Sequence, residues 1–137
     1  MGSSRGGNRP SRAGLGKYPR TIRDVAESFG RGVPEEVIAA RTRTVLVYSD
    51  VVVKVPTTEE GMLGNSMEWS TFNDPEGIPV APCRWHDVDE HMSVLVMDRV
   101  TPVVGAFSDA TMPWWVSYVD CGQVGHLPNG ELVAYDL

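Results

Sequence analysis

The run Val51-Val52-Val53-Lys54-Val55-Pro56 places one lysine inside an otherwise apolar, β-branched segment. A segment of this kind predicts a buried strand. Burying an ammonium group among valines is costly unless an anion meets it. Lys54 is therefore expected either at a sheet edge, with its charged end reaching solvent, or in contact with a carboxylate or a phosphate.

Length and composition indicate one folded domain with a basic leader. The chain has 137 residues, of which 42% are hydrophobic, and this suffices for a core without metals or disulfides. Residues 1 to 23 carry six basic and no acidic side chains, although the net charge is −6. The Gly/Ser/Arg-rich start lacks the apolar groups that would offset the entropy of ordering. We therefore predict a disordered tail over residues 1–19 and a domain over 20–137.

The charge distribution also bears on partners and location. The basic residues 1–23 suit weak contact with a nucleic acid or an acidic protein, and the alternative is a solvated leader with no role. The acidic remainder argues against a nucleic-acid-binding domain. No apolar run reaches about 18 residues, so no membrane contact is expected. The two cysteines, Cys83 and Cys121, are far apart in the sequence, which favours ordinary thiols and a cytoplasmic location.

The first half of the chain predicts helices and a β-hairpin. Ile22, Val25, Ala26 and Phe29 fall on one face of a helix that Thr21 begins and Gly30 ends. A second short helical turn is expected from Pro34. Strands are predicted over residues 45–48 and 51–55. A capping box of Thr57 and Glu60 then opens a helix that continues to about Phe72, with Leu63, Met67 and Ser70 on one side.

The second half predicts further strands and a terminal hairpin. Residues 80–88 and 93–100 are expected to be strands, and Pro113 to start a helical turn. Residues 124–127 and 132–137 flank the turn Pro128-Asn129-Gly130, which is typical of a β-hairpin. The predicted fold class is thus α+β: an antiparallel sheet with one packed helix, closed by a C-terminal β-hairpin.

Three motifs in this order resemble the protein-kinase-like fold, and in particular its amino-terminal lobe as found in short kinase-like proteins of bacteria and their phages. The first motif is the strand Val53-Lys54-Val55. The second is the G-x-x-x-N-x-x-E helix of Gly61, Asn65 and Glu68, and the third is Leu95 to Val100. The resemblance covers residues 33 to 137.

The resemblance implies a role for several residues. Lys54 would hold the α- and β-phosphates of ATP, and Glu68 would pair with Lys54. The backbone of Asp98, Arg99 and Val100 would face the adenine. In the terminal hairpin, Gln123 and Asp136 stand thirteen positions apart, where the fold family has its two Mg²⁺ ligands.

The chain departs from the family where catalysis would depend on it. Ala40-Arg41-Thr42-Arg43-Thr44 stands where a glycine-rich loop would cover the phosphates, and Tyr118 stands where the catalytic aspartate is expected. Arg41 and Arg43 are expected on a solvated strand face, and the alternative is that they contact an anion in place of the missing loop. Phosphoryl transfer depends mainly on positioned groups, so we expect a pseudokinase without catalytic residues or cofactor. The alternative is a minimal transferase of phosphoryl or nucleotidyl groups that uses ATP and Mg²⁺.

The adjacent tryptophans Trp114 and Trp115 indicate a binding surface. On a short element the two side chains cannot both point inward, so an exposed apolar patch is expected there. The hypothesis that follows is a module that binds another protein, with Trp114 and Trp115 as partner-binding residues.

Overall fold

The protein has an α+β fold in which two helices pack against antiparallel sheets. The structure, a computed structural model, describes residues 12–104, 111–119 and 122–137. Three α-helices are described: α1 (Arg12–Leu15), α2 (Arg20–Phe29) and α3 (Glu59–Phe72). The strands are β1 (Glu36–Ala39), β2 (Arg43–Val47), β3 (Val51–Pro56), β4 (Cys83–Asp89), β5 (Met92–Asp98), β6 (Thr101–Pro102), β7 (Val124–His126) and β8 (Leu132–Ala134).

The five longer strands form one sheet in the order β1-β2-β3-β5-β4, and every neighbouring pair is antiparallel. Strand β3 is central, and a helix packs on each of its two faces. Val51, Val53 and Val55 pack in one cluster with Ile22 and Val25 of α2. The alternation of side chains along a strand sends Lys54 to the opposite face, beneath α3. This two-sided burial explains why the strand is apolar at nearly every position.

The second sheet has the order β6-β7-β8, and its β7–β8 hairpin confirms the predicted C-terminal hairpin. A parallel bridge between Val80 and Ala134 connects the hairpin to the segment before β4. Gly125 in β7 lies so close to β6 that an added Cβ would stand 2.6 Å from the carbonyl oxygen of Thr101. The hairpin thereby brings residues 135 and 136 to the α3 face of the larger sheet.

Several predicted elements are present with shifted ends. The first predicted helix is α2. It begins at Arg20 after Pro19, rather than at a Thr21 cap, and it ends as predicted at Gly30, which has φ 74°. The cap of α3 is Thr58, whose hydroxyl accepts a hydrogen bond from the Gly61 amide at 3.1 Å. Helix α3 therefore begins one residue later than the predicted capping box. The helical turn predicted after Pro113 is a 3₁₀ helix, Trp114–Tyr118.

Two predictions about local structure are wrong. The short helix expected after Pro34 is instead strand β1, which pairs antiparallel with β2, and the Glu35 amide just before it donates to the Val47 carbonyl. The fold class counted one packed helix, but the predicted helix that became α2 also packs, on the other sheet face. In α3, the side that carries Leu63 and Met67 is exposed, and the buried side is Gly61, Asn65 and Glu68.

The tail predicted over residues 1–19 lies partly outside the described residues. Within the described part, Leu15 at the end of α1 is 1% exposed and belongs to the same core cluster as α2. No helix in the described part of the chain is long and apolar enough to cross a membrane.

Candidate functional site

Lys54 lies in the middle of the larger sheet, not at its edge. Its register partners are Val45 on β2 and Leu95 on β5. The residue is 4% exposed, so its ammonium group cannot reach bulk water. Of the alternatives drawn from the sequence, contact with an anion is the one that the structure contains.

The anion is the carboxylate of Glu68. Lys54 Nζ lies 2.6 Å from Glu68 Oε1, and Glu68 is 1% exposed. Nζ also donates a hydrogen bond to the backbone carbonyl of Tyr135, just beyond β8. The predicted contact between Lys54 and Glu68 is therefore present, while a role in holding phosphate stays a prediction.

A second cation, Arg43, completes the site, and the sequence interpretation missed it. Its guanidinium group is bidentate on Glu68, with Nη1 to Oε1 at 3.0 Å and Nη2 to Oε2 at 2.9 Å. Nη2 also lies 2.9 Å from Asp136 Oδ1. Arg43 is 9% exposed, so the expectation that it stands on a solvated strand face is wrong. The planar guanidinium group binds a carboxylate through two parallel hydrogen bonds. Its binding is therefore more specific than that of an ammonium group.

The register of the β2–β3 hairpin is the sequence signal that could have placed Arg43 at this site. The turn at Ser49 and Asp50 pairs Val45 with Lys54, so these two side chains share a face. Arg43 stands two residues before Val45 and must point to that same face. Composition alone shows two arginines near a polar turn, and it favoured exposure of both side chains to solvent.

The buried face of α3 fits this pair of cations because of its spacing. Gly61, Asn65 and Glu68 stand at positions i, i+4 and i+7, on one side of the helix. The Asn65 carbonyl accepts from Arg43 Nη1 at 2.9 Å, and its amide donates to the Lys54 carbonyl at 3.0 Å. A Cβ at Gly61 would lie 2.1 Å from the Thr42 carbonyl oxygen. Glycine is thus required for α3 to approach β2 this closely.

The charges at the site balance. Arg43 and Lys54 face Glu68 and Asp136, and we call these four residues with Asn65 the buried ion network. Burial would raise the pKa of Glu68, but the hydrogen bonds from Arg43 and the charge of Lys54 outweigh it and lower that pKa. Burial also lowers the pKa of Lys54, and Glu68 offsets part of this effect. For Arg43, the contacts with Glu68 and Asp136 outweigh burial and raise the pKa.

The predicted adenine-facing segment lies beside a separate cavity of about 810 Å³. Asp98, Arg99 and Val100 line it, but none of the buried ion network does. The amide of Asp98 donates to the Pro82 carbonyl at 2.8 Å, and the amide of Arg99 donates to the Asp50 carbonyl at 2.9 Å. These two backbone donors are engaged within the protein and are not presented to a base.

Of the two predicted metal ligands, Asp136 is engaged by Arg43, and a role of the pair in holding Mg²⁺ stays a prediction. The hairpin sets Gln123 opposite Tyr135, since the Tyr135 amide donates to the Gln123 carbonyl at 3.1 Å. Asp136 binds Arg43, and an amide oxygen such as that of Gln123 adds no charge for a hard divalent cation. In the described part of the chain, no group of three or more His, Cys, Asp and Glu residues is placed to hold a metal.

The two tryptophans take different positions. Trp114 is 76% exposed, and its ring lies edge-on to Tyr118 with centroids 5.7 Å apart. Trp115 is buried in a cluster with Val116 and Val124. As expected, the two side chains do not both point inward. A direct partner contact by Trp115 does not fit its burial, and that part of the prediction is corrected.

Cys83 is buried beneath α3, and burial raises the pKa of its thiol to about 11. A thiol with this pKa stays protonated at neutral pH and is a poor nucleophile. Cys121 lies outside the described residues.

No protein-family model, no curated protein and no solved structure matches the chain.

Proposed function

We propose that this protein is a non-catalytic, kinase-like module that acts by binding another protein. The resemblance of its three motifs to short bacterial and phage kinase-like proteins motivates the architecture. The order of elements supports it: β3 with Lys54, then α3 with Glu68, then β4 and β5, and last the β7–β8 hairpin. This fold assignment within the α+β class is part of the proposal.

The observation that carries the absence of catalysis is the position of Arg43. In a nucleotide site, Lys54 would offer its charge to phosphate and Asp136 would offer oxygen to a metal. Here Arg43 takes both Glu68 and Asp136 as partners, each at 2.9 Å from Nη2. A phosphate entering the site would have to compete with both carboxylates for Arg43, and with Glu68 and the Tyr135 carbonyl for Lys54. The network therefore supports a structural role for these residues.

The connection between β1 and β2 supports the same conclusion. It consists of Ala40, Arg41 and Thr42, and the Ala40 amide donates to the Arg43 carbonyl at 2.9 Å. The Thr42 carbonyl accepts from the Thr57 amide at 2.9 Å and lies against Gly61. A short turn held down in this way does not form a flap over phosphates. Tyr118, at the position of the expected base, contacts the ring of Trp114 edge to face, and its side chain has no carboxylate.

Binding to another protein is supported by exposed apolar side chains. Trp114 and Tyr118 are 76% and 73% exposed and contact each other, so they form one aromatic patch. Aromatic side chains at such positions are enriched among the residues that contribute most to protein interfaces.

A thermal-shift titration with ATP and Mg²⁺ separates this function from the rival minimal transferase. The rival is favoured by the cavity beside Asp98, Arg99 and Val100. A ligand at about 100 times its dissociation constant adds about 2.7 kcal/mol of stability. We expect no shift in the wild-type protein. A saturable shift that requires Mg²⁺ would overturn the expectation that no cofactor binds, and transfer of a phosphoryl or nucleotidyl group in the same sample would reject the non-catalytic module.

The partner itself is tested with matched surface variants. Proteins that co-purify with the wild type from its native cells are quantified by mass spectrometry, and capture is repeated with Trp114→Ala and Val104→Ala. Both residues are highly exposed, so neither variant should alter folding. We expect Trp114→Ala alone to lose the specific partner. Equal capture by Trp114→Ala and wild type would remove the aromatic patch from the proposal.

A further inference from the structure

Helix α3 buries two polar side chains and exposes several large apolar ones, beside the exposed polar residues Glu59, Glu60, Ser66 and Ser70. Its buried residues are Gly61, Asn65 and Glu68. Its exposed large apolar residues are Met62, Leu63, Met67, Trp69 and Phe72. A surface helix of a globular domain usually has the reverse arrangement. Contiguous exposed apolar surface of this kind is typical of an interaction site.

One flank of the helix forms a groove with the edge strand β4. The rings of Trp69 and Trp85 lie 6.2 Å apart, and Met62, Trp85 and Pro56 line a cavity of about 530 Å³. The polar lining comes from Asn65, Ser66, Asp87 and Ser93. We call this cavity with the adjoining ring of Trp69 the α3–β4 groove.

The segment that forms the groove carries an excess of acidic residues. Residues 55–98, which include α3, β4 and β5, have nine acidic residues and a single basic residue other than histidine, Arg84. Three of the nine are accounted for elsewhere: Glu68 is neutralised in the buried ion network, Glu60 pairs with Arg41, and Asp98 lines the separate cavity. The other six are Glu59, Asp74, Glu76, Asp87, Asp89 and Glu90, of which Asp87 lines the groove itself.

Arg84 does not offset this charge at the groove. It alternates with Trp85 along β4 and shares the opposite face with His86, which contacts Ser28 of α2 at 3.0 Å. The lining residues include Asp87 and no lysine or arginine. Electrostatics therefore favours a cationic partner and disfavours nucleic acid or an anionic membrane.

We propose that the α3–β4 groove docks a cationic amphipathic helix of a partner protein, an inference that rests on the proposed protein-binding function. The apolar side of that helix packs on Met62, Trp69 and Trp85, and its lysines or arginines face the surrounding carboxylates. Methionine adapts its shape to different apolar side chains, and tryptophan buries a large area with few rotatable bonds. A helix in a groove is a recurring mode of peptide recognition.

The test uses a fluorescein-labelled peptide of leucine and lysine with leucines at helical spacing, measured by fluorescence anisotropy with the full chain. Two control peptides have the same composition in scrambled order, or glutamate in place of lysine. We expect saturable binding of the amphipathic lysine peptide alone, weakened by added salt. Binding of the scrambled peptide with equal affinity would overturn the proposal, since charge alone would then explain it. The absence of binding up to the solubility of the peptide would also overturn it.

Matched variants locate the binding. Met62→Lys places a cation in the groove, whereas Ile38→Lys makes the same kind of change at an exposed position on β1. We expect Met62→Lys to weaken binding at least tenfold, about 1.4 kcal/mol, and Ile38→Lys to have much less effect. Equal losses in the two variants would overturn the assignment to the groove.

Two further arms separate the alternatives. Vesicles of phosphatidylglycerol test a membrane as the occupant, and binding to them that Met62→Lys alters would reject a protein helix. The ATP and Mg²⁺ titration tests the proposed function independently. A flat titration with no peptide binding rejects the groove alone. A nucleotide-dependent shift accompanied by phosphoryl or nucleotidyl transfer, with groove-specific peptide binding, rejects the non-catalytic function alone.

Discussion

The two faces of the larger sheet are held by different physical means. On the α2 face, Val53, Val55, Val94 and Val96 are fully buried in one cluster with the apolar side of α2. On the α3 face, the helix contributes glycine, asparagine and glutamate. The arginine and lysine of the strands donate hydrogen bonds to this asparagine and glutamate. An apolar contact tolerates exchange of similar side chains, whereas a buried ion network depends on every partner being present. The α3 face should therefore be the more sensitive one to single substitutions.

The largest effect is expected from Glu68→Gln. The substitution keeps the shape of the side chain but leaves Arg43 and Lys54 buried together without their shared carboxylate. Removing one partner of a buried ion pair costs about 3–5 kcal/mol. Urea denaturation followed by circular dichroism measures the change. Leu46→Ala on the α2 face is the counterpart, with an expected cost of about 2–5 kcal/mol from its cavity.

A loss below about 1 kcal/mol in Glu68→Gln, similar to that of an exposed ion pair, would break the comparison. The network would then contribute no more than surface charges do. The triple variant R43M/K54M/E68L sharpens the result. If the network acts as a unit, replacing these three charged members by apolar side chains should cost less than Glu68→Gln alone.

A smaller effect is expected from Gly61→Ala, which tests the close approach of α3 to β2. The added methyl would collide with the backbone carbonyl of Thr42 at 2.1 Å, and this atom cannot move without shifting the strand. Overpacking of this kind typically costs about 1–3 kcal/mol. Gly64→Ala is the matched control, because its Cβ would meet the Arg43 guanidinium at 3.6 Å, an ordinary contact.

In Gly64→Ala, the better helix propensity of alanine should add up to about 1 kcal/mol of stability. The same substitution at two positions three residues apart in one helix should thus change stability in opposite directions, as measured by thermal denaturation. Equal responses of the two variants would show that helix propensity alone, and not contact with β2, decides the effect at position 61.

The motif that suggested a kinase-like fold illustrates what the sequence could provide. The spacing of Gly61, Asn65 and Glu68 was visible in the sequence, and so was the need of Lys54 for an anion. Hydrophobic periodicity found α2 and most strands, because those elements bury apolar side chains on regular spacing. It did not indicate the buried side of α3, which is polar, and the helix itself was predicted from its capping box. The helical turn predicted where β1 lies rested on Pro34, and the four residues 36–39 are too few for periodicity to separate a helix from a strand.

The role of Arg43 could not be found by the same means. An arginine beside a polar turn is usually solvated. Only the register of the hairpin and the return of Asp136 from the far end of the chain show that it is enclosed. Asp136 is 93 residues from Arg43 in sequence, so this contact depends on the complete tertiary fold. For the same reason, the neutral balance of the site was not predicted from local motifs.

A pH titration of stability tests the charge of Glu68. Its pKa is lower in the folded protein than in the unfolded chain, where an ordinary value of about 4.3 applies. The stabilisation is therefore fully present above that unfolded value and is lost as the pH falls through the lower folded value. Urea denaturation between neutral and acidic pH should show this loss in the wild type. The acid-dependent loss should be reduced in Glu68→Gln, and unchanged slopes would contradict an ionised Glu68 in the folded state.

The smallest effect is expected from Arg41→Gln, which is the closest control for the buried network. Arg41 stands two residues before Arg43 and also pairs with a glutamate of α3, Glu60, at 3.2 Å. Both side chains of this pair are mostly exposed, at 80% and 67%, so water already solvates each charge. Such pairs contribute about 0–1 kcal/mol, and salt screens them.

Arg43→Gln, in contrast, removes a bidentate partner from a carboxylate that is 1% exposed. Urea denaturation of both variants at low and high salt should give a small, salt-sensitive change for Arg41→Gln and a large, nearly salt-independent loss for Arg43→Gln. Equal losses would mean that burial does not distinguish the two arginines, and the contrast between the faces would then have to rest on Lys54 and Glu68 alone.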